Sequence, residues 1–160
     1  MERLSTHDEL LGLPKMKKNN AFSLVELVVV VMILGILAAV AAPKLFQTSG
    51  TATDNGLRQT LTVVRDAIDL YAADNAGSLP PCTSTGADFK AALADYLRGD
   101  FPKCPVGDAE GNNDVVPTTG TGATADASPT AGWKFNTDDG TFICNSDDAS
   151  NTAGVNYDDF

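Results

Sequence analysis

The sequence predicts an α+β fold in which a long N-terminal helix, membrane-spanning in its first half, leads into a small C-terminal head. Three patterns support this prediction. A nearly uninterrupted apolar run extends from Phe22 to Ala42, and apolar side chains then recur at helical spacing between Leu57 and Tyr71. Further along, residues 133–144 alternate between apolar and polar side chains around a turn, as the strands of a small antiparallel sheet do.

The apolar run has the length of a membrane span. About 21 residues at a rise of 1.5 Å cover about 31 Å, which matches the hydrocarbon core of a bilayer. The first helix breaker is Pro43, where we expect a bend. Because Lys17 and Lys18 precede the run, the positive-inside rule places the N-terminus in the cytoplasm and the head on the other side.

A single carboxylate, Glu26, interrupts the start of this run. A carboxylate at the centre of a bilayer costs about 2.5–3.5 kcal/mol even on insertion scales. A cleaved signal peptide has a shorter apolar core. An uncleaved single-pass membrane protein with a binding head explains the apolar run, but it leaves Glu26 without a purpose.

The stretch KKNNAFSLVEL, residues 17–27, resembles the prepilin motif of type IV pilins and type II secretion pseudopilins. Ala21 stands where that family usually has glycine, and Phe22 and Glu26 are then the first and fifth residues of the mature chain. The resemblance implies cleavage between Ala21 and Phe22 by a prepilin peptidase, which also N-methylates Phe22. It further implies that Glu26 neutralises the Phe22 amine of a neighbouring subunit and that Pro43 bends the helix.

The same resemblance implies a pilin-like lollipop fold and a structural function. We expect a pseudopilus subunit that polymerises from the bacterial inner membrane to drive protein export by a type II secretion system. The alternative is a type IV pilin that forms surface fibres for adhesion, motility or DNA uptake. The implied partners are further copies of the chain, other pseudopilins or minor pilins, the prepilin peptidase, the inner-membrane assembly platform and membrane lipid.

Composition excludes other functions. The 160-residue chain has a net charge of −10, and only seven Lys and Arg follow residue 21, against eighteen Asp and Glu. Such an acidic surface repels phosphates, so we expect no direct binding of nucleic acid. The only histidine, His7, precedes the apolar run, and the rest of the chain has no glycine-rich phosphate loop and no CxxC motif. We therefore predict that the protein is not an enzyme.

The predicted organisation has four parts. The parts are a basic leader (1–21), a transmembrane and filament-core helix (22–42), its amphipathic continuation (43–76) and a periplasmic head (77–160). Met16 is an alternative start, in which case residues 1–15 are not translated. In the continuation, we expect the helix to loosen near Gly50 and to bury a stripe formed by Leu57, Leu61, Val64, Ile68 and Tyr71, widened by Val63 and Leu70.

The head begins with a predicted short helix over residues 87–98. Residues 115–132 contain few bulky side chains and are predicted to form an exposed loop. The segments 133–136 and 142–144 form the predicted hairpin, joined by the turn at 137–140.

Two further sites are predicted in the head. Three cysteines allow one bridge, and Cys82–Cys104 closes a short loop around the short helix; the alternative is three buried, reduced thiols. The acidic C-terminal region offers oxygen ligands of the kind that calcium prefers, and the resemblance to major pseudopilins supports a calcium site there. The candidate ligands are Asp138, Asp139, Asn145, Asp147 and Asp148; the alternative is that these residues form solvated acidic turns without a metal.

Overall fold

The computed structural model describes residues 22–160, apart from the side chains of residues 46 and 47. The predicted leader, with Met16 and Ala21, lies outside the described residues. The chain divides into two units after Val40. Helix α1 spans Leu24–Asp74 and contains Pro43. It is long and apolar enough to cross a membrane, by length and composition.

Helix α1 continues through the segment where the sequence predicts a loosening. Gly50 lies inside the helix, and Thr48 and Thr53 on either side donate their hydroxyl protons to backbone carbonyls four residues earlier. A Cβ atom at residue 50 would overlap the Asn151 side chain, so glycine here allows the C-terminal loop to pack on the helix. The helix ends at a left-handed turn, where Gly77, at φ 83°, donates its N–H to the Ala72 carbonyl.

The second half of α1 buries the predicted apolar stripe in the head. Leu57, Leu61, Val64 and Ile68 are almost inaccessible to solvent, and Tyr71 packs against the same core. The predicted widening of this stripe is wrong, since Val63 is 49% exposed and Leu70 is 55% exposed. Both side chains lie on the flanks of the helix, outside the face that packs on the core.

The head contains one short helix and a three-stranded sheet. The elements are α2 (Ala87–Ala92), β1 (Val115–Thr118), β2 (Trp133–Asn136), β3 (Phe142–Cys144) and a 3₁₀ turn (Tyr157–Asp159). Helix α2 is shorter than predicted, and Leu93 to Arg98 form a series of turns instead. The small head with a short helix and a small sheet confirms the predicted fold class.

The sheet is mixed rather than antiparallel. Strands β2 and β3 form the predicted antiparallel hairpin, with Phe135 opposite Phe142. Strand β1 falls in a segment predicted to be a loop, but it pairs with β2 in parallel, with Val115 opposite Trp133. A parallel pair needs a crossover connection. Residues 119–132 form that connection, and the strand order is β1-β2-β3.

Aromatic rings form the centre of the head. Phe89, from α2, is fully buried, and its ring centroid lies 4.5 Å from that of Phe135 and 5.9 Å from that of Phe142. Trp133 stacks on Phe142 at 5.3 Å. The core therefore joins α1, α2 and the hairpin in one cluster of apolar side chains.

An arginine on α1 holds two other segments of the head. Arg65 donates from Nε and Nη2 to the Phe142 carbonyl, at 3.0 and 2.8 Å, and from Nη1 to the Phe160 carbonyl, at 2.8 Å. Arg58 lies about two turns earlier, and its guanidinium carbon is 3.5 Å from the centre of the Phe160 ring. Two arginines thus tie the last residue and strand β3 to the same helix.

Replacing Arg65 by alanine is expected to lower the free energy of unfolding by about 2 kcal/mol, because charged hydrogen bonds to partly buried carbonyls are lost. Urea unfolding followed by the fluorescence of Trp133, the only tryptophan, measures this change. Arg98→Ala removes the same charge from a position outside this set of hydrogen bonds and is the matched control. Equal effects of the two substitutions would contradict a specific role for the Arg65 hydrogen bonds.

Candidate functional site

The first turns of α1 expose an extended apolar surface. Every described side chain from Phe22 to Leu45 is exposed in the single chain, and Phe22 is 79% exposed. Exposed apolar surface of this extent marks a contact with lipid or with another protein. The buried stripe of Leu57 to Ile68 lies in the other unit, so the two parts of α1 differ in what covers their apolar side chains.

Glu26 is the acidic residue in the first turn of this helix. The helix begins at Leu24, and Leu27 donates its N–H to the Ser23 carbonyl at 3.2 Å, so the first turn is formed just after Phe22. A carboxylate in a first turn is stabilised by the helix dipole. Glu26 is exposed like its apolar neighbours. The structure therefore places the carboxylate on the same open surface and about one turn from Phe22.

The predicted calcium ligands are distributed among separate hydrogen bonds. Asp138 accepts the N–H of Gly120 at 2.7 Å, and Asp139 accepts the N–H groups of Gly122 and Thr141 at 2.6 and 2.9 Å. A hydrogen bond from the Thr141 side chain, followed by the one from the Gly122 N–H, lowers the pKa of Asp139. The two carboxylates hold the start of the crossover connection.

Two of the other three predicted ligands also have protein partners. Asn145 is buried and exchanges hydrogen bonds with Asp126, and Asp148 accepts the hydroxyl proton of Ser146 at 3.1 Å. Asp147 is exposed. Among residues 22–160, no group of three or more His, Cys, Asp and Glu side chains could hold a metal ion. Calcium binding by the predicted set stays a prediction.

Asp126 forms the shortest polar contact of the crossover connection. Lys134 Nζ lies 2.5 Å from Asp126 Oδ1 and also donates to the Thr124 carbonyl. The hydrogen bond from Lys134, together with a second one from Asn145, lowers the pKa of Asp126. The ion pair is partly exposed, so its contribution to stability is about 0.5–1 kcal/mol.

The lowered pKa of Asp126 gives a pH dependence. The contribution of the Asp126 carboxylate to the free energy of unfolding is complete above the unfolded-state pKa of about 3.9, and it is lost as the pH falls through the lower folded-state pKa. Below about pH 4, we expect the thermal midpoint of the wild-type protein to decrease as the pH falls. We expect the thermal midpoint of Asp126→Asn to decrease less steeply. Asp88 and Asp139 also have lowered pKa values, so some loss remains in the variant. Parallel curves for the two proteins would contradict this role of Asp126.

Sequence patterns missed the residue that organises this loop. The alternation of the hairpin predicts Asn136 on its exposed side, but the residue is fully buried. Its amide donates to the carbonyls of Gly120 and Gly122, and its oxygen accepts the N–H of Asp138 at 2.9 Å. An asparagine just before a turn is typical of a side chain that bonds nearby backbone, which is the only signal that the sequence offered.

The structure also corrects the predicted cysteine pair. Cys104 Sγ lies 3.3 Å from Cys144 Sγ, at the end of β3. The sulfur of Cys82 contacts instead the carbonyls of Thr83 and Val115, at 3.9 and 4.0 Å. The predicted bridge relied on short sequence separation, whereas the fold brings the loop residue Cys104 to Cys144, which is distant in the sequence.

Comparison with known proteins connects the N-terminal site to a family. The family described as "Prokaryotic N-terminal methylation motif" matches residues 16–42. The chain is 36% identical over 74 residues to "Type II secretion system core protein G" of Vibrio cholerae serotype O1. It is 34% identical over 71 residues to the protein of the same name in Klebsiella pneumoniae and 32% identical over 72 residues to that in Aeromonas hydrophila.

These similarities cover part of each protein. The alignments include 44–46% of this chain, and the chain spans about half the length (49%) of each of the three curated relatives. No solved structure matches at a significant level. The motif match nevertheless includes both Phe22 and Glu26. The resemblance predicted from KKNNAFSLVEL is therefore confirmed: the chain carries the N-terminal methylation motif of type IV pilins and type II secretion pseudopilins, and the relatives named here are type II secretion core G proteins.

Proposed function

We propose that this protein is a structural subunit of a type II secretion pseudopilus. One observation carries the proposal: a methylation motif at residues 16–42 coincides with the apolar first part of helix α1, in which every described side chain from Phe22 to Leu45 is exposed and the first turn contains a carboxylate. Such a helix needs lipid around it before assembly and other helices after assembly. Similarity to core G proteins favours the secretion pseudopilus over a surface pilus.

Processing creates the partner of the carboxylate. A prepilin peptidase cleaves between Ala21 and Phe22 and methylates the new amine of Phe22, which remains a cation. The amine then stands next to the first turn of α1, where Glu26 adds a negative charge. A charge in an apolar environment is tolerated when it is paired. Each subunit thus presents one cation and one anion at the same end of its helix.

Pairing between subunits fixes the register of the filament. Glu26 of one subunit neutralises the Phe22 amine of its neighbour, and parallel helices become staggered by the short distance between these groups. A Cβ atom added at Gly35 would meet no heavy atom within 4 Å, and the alanines at residues 38, 39, 41 and 42 are also small, so a second helix can approach closely.

The proposal defines location and partners. The apolar helix anchors the subunit in the inner membrane, with the leader in the cytoplasm and the head in the periplasm. Its partners are further copies of the chain, other pseudopilins, the prepilin peptidase and the assembly platform of the inner membrane. The acidic head then forms the outer surface of a periplasmic rod.

The N-terminus of the protein from native membranes tests this proposal. Intact mass and N-terminal peptide sequencing are expected to show a chain that begins with N-methylated Phe22. Ala21→Leu, which places a bulky side chain before the cut, is expected to give only uncleaved protein. A native chain that still begins at Met1 or Met16 would leave Glu26 without its amine and overturn the proposal. A deletion strain distinguishes the pseudopilus from a type IV pilus. For a pseudopilus subunit, we expect the strain to lose protein export and to keep its surface fibres.

A further inference from the structure

Two of the three thiols meet inside the head. Cys104 Sγ and Cys144 Sγ are 3.3 Å apart although the residues are 40 positions apart in the sequence, and both residues are at most 2% exposed. A disulfide has a sulfur–sulfur distance of about 2.05 Å, so the two sulfurs need to approach by little more than about 1 Å. The fold has therefore already brought these thiols together before any covalent bond exists.

The backbone around both thiols keeps them together. Residues 104–112 form a closed loop, in which Cys104 donates its N–H to the Asn112 carbonyl and Gly111 donates its N–H to the Cys104 carbonyl, at 2.9 and 2.8 Å. Cys144 is held by β3, where it pairs with Trp133. A Cβ atom at Gly132 would overlap the Asn112 carbonyl and lie 2.7 Å from the Cys104 Cβ atom. The loop is thus pressed against the start of β2, directly beside β3.

We propose that Cys104 and Cys144 form a disulfide bond that joins the 104–112 loop to strand β3, and that Cys82 remains the free thiol. This proposal depends on the proposed function in one respect only, the oxidising compartment: a periplasmic head is exposed to disulfide oxidants. The oxidant belongs to the chemical class of disulfides, either a small molecule or a dithiol oxidoreductase.

The exchange reaction proceeds in two balanced steps. One of the two thiols, as its thiolate, attacks the oxidant disulfide, which forms a mixed disulfide and releases one thiolate of the oxidant. The other thiol then loses its proton and attacks the protein sulfur of the mixed disulfide, which closes the bridge and releases the second thiolate. The two protein thiols lose two protons and two electrons, and the oxidant disulfide is reduced to two thiols. Because both sulfurs are buried in the finished head, the first step occurs while the 104–112 loop is open.

The surroundings of the third cysteine, Cys82, disfavour its thiolate. Burial and the Asp88 carboxylate raise the pKa of Cys82 to about 11. The Cys82 thiol is therefore almost fully protonated near neutral pH and competes poorly for the oxidant.

Trypsin separates the three cysteines, which makes the pairing directly measurable. Cleavage after Arg65, Lys90, Lys103 and Lys134 puts Cys82, Cys104 and Cys144 on the peptides 66–90, 104–134 and 135–160. The purified full chain in detergent is equilibrated with oxidised and reduced glutathione, alkylated with iodoacetamide in denaturant and digested without reduction. The expected result is a linked pair of peptides 104–134 and 135–160, with peptide 66–90 alkylated.

Two variants complete the test. Cys82→Ser is expected to keep the linked pair, and Cys144→Ser is expected to lose it and to leave Cys104 alkylated. A link between peptides 66–90 and 104–134, or alkylation of all three cysteines in the wild type, would overturn the proposal. Because the redox buffer is defined, this result does not depend on where the protein resides. An unprocessed N-terminus together with a Cys104–Cys144 link would overturn only the pseudopilus function.

Discussion

Replacing Glu26 by alanine is expected to abolish filament assembly while the protein remains inserted in the membrane. In the proposed pairing, the substitution leaves the Phe22 amine of each neighbour without its counter-charge in an apolar environment. Breaking a buried ion pair in this way costs about 3–5 kcal/mol, which corresponds to a loss of at least about a hundredfold in affinity per contact. Insertion itself should improve slightly, since a carboxylate is removed from the hydrocarbon.

The measurement is the amount of polymer recovered from cells that overproduce the subunit, beside the amount of monomer in the membrane fraction. Ser23→Ala is the matched control, because Ser23 is the other polar side chain of the 22–42 segment and carries no charge. Glu26→Gln separates charge from hydrogen bonding and is also expected to fail. Filaments of normal yield from Glu26→Ala would contradict the pairing of Glu26 with the amine of a neighbour.

Replacing Phe89 by alanine is expected to lower the free energy of unfolding of the head by about 3–5 kcal/mol. Its ring is fully buried beside those of Phe135 and Phe142, with the ring of Phe101 centred 6.0 Å away. The substitution would leave a cavity bounded by α2 and by both strands of the hairpin. The surrounding side chains cannot fill this cavity without moving the sheet. A loss of this size is a large fraction of the total stability of a small domain.

Thermal and urea unfolding of the full chain measure the effect of this substitution. Trp133 is buried and stacks on Phe142, so its fluorescence reports the unfolding of the same core. Val63→Ala, on the half-exposed flank of α1, removes apolar atoms from outside the core and is expected to cost less than about 1 kcal/mol. A cost for Phe89→Ala as small as that of Val63→Ala would mean that Phe89 is not central to the core.

Local sequence patterns were sufficient for the helix and the hairpin. The stripe from Leu57 to Ile68 has the period of a helix, and the segment from Trp133 to Cys144 has two alternating strands around a turn. In both cases the residues that determine the structure are close together in the sequence. The same is true of the N-terminal site, where Phe22 and Glu26 belong to one short motif.

The remaining features depend on contacts between distant residues. Strand β1 is only four residues long and contains Pro117, so nothing in its own sequence specified a parallel partner. Cys104 and Cys144 meet because the 104–112 loop packs beside β3. The roles of Asp138 and Asp139 were also hidden, since their partners are backbone amides that carry no sequence signal.

The polar side chains that hold the crossover connection determine the order in which parts of the head become protected from solvent. Asn136, Asp138, Asp139 and Asn145 all belong to the hairpin or its edges, and they hold residues 120–126 from that side. The connection therefore lacks these partners until the hairpin exists, and it can open while the hairpin stays closed. In native-state hydrogen exchange, the amides of Gly120 and Gly122 should exchange at a lower opening energy than those of Asn136 and Asn145, which donate to the Thr141 and Gly132 carbonyls across the hairpin. The hairpin is then the slowly exchanging part of the head, and residues 120–126 form a segment that opens separately.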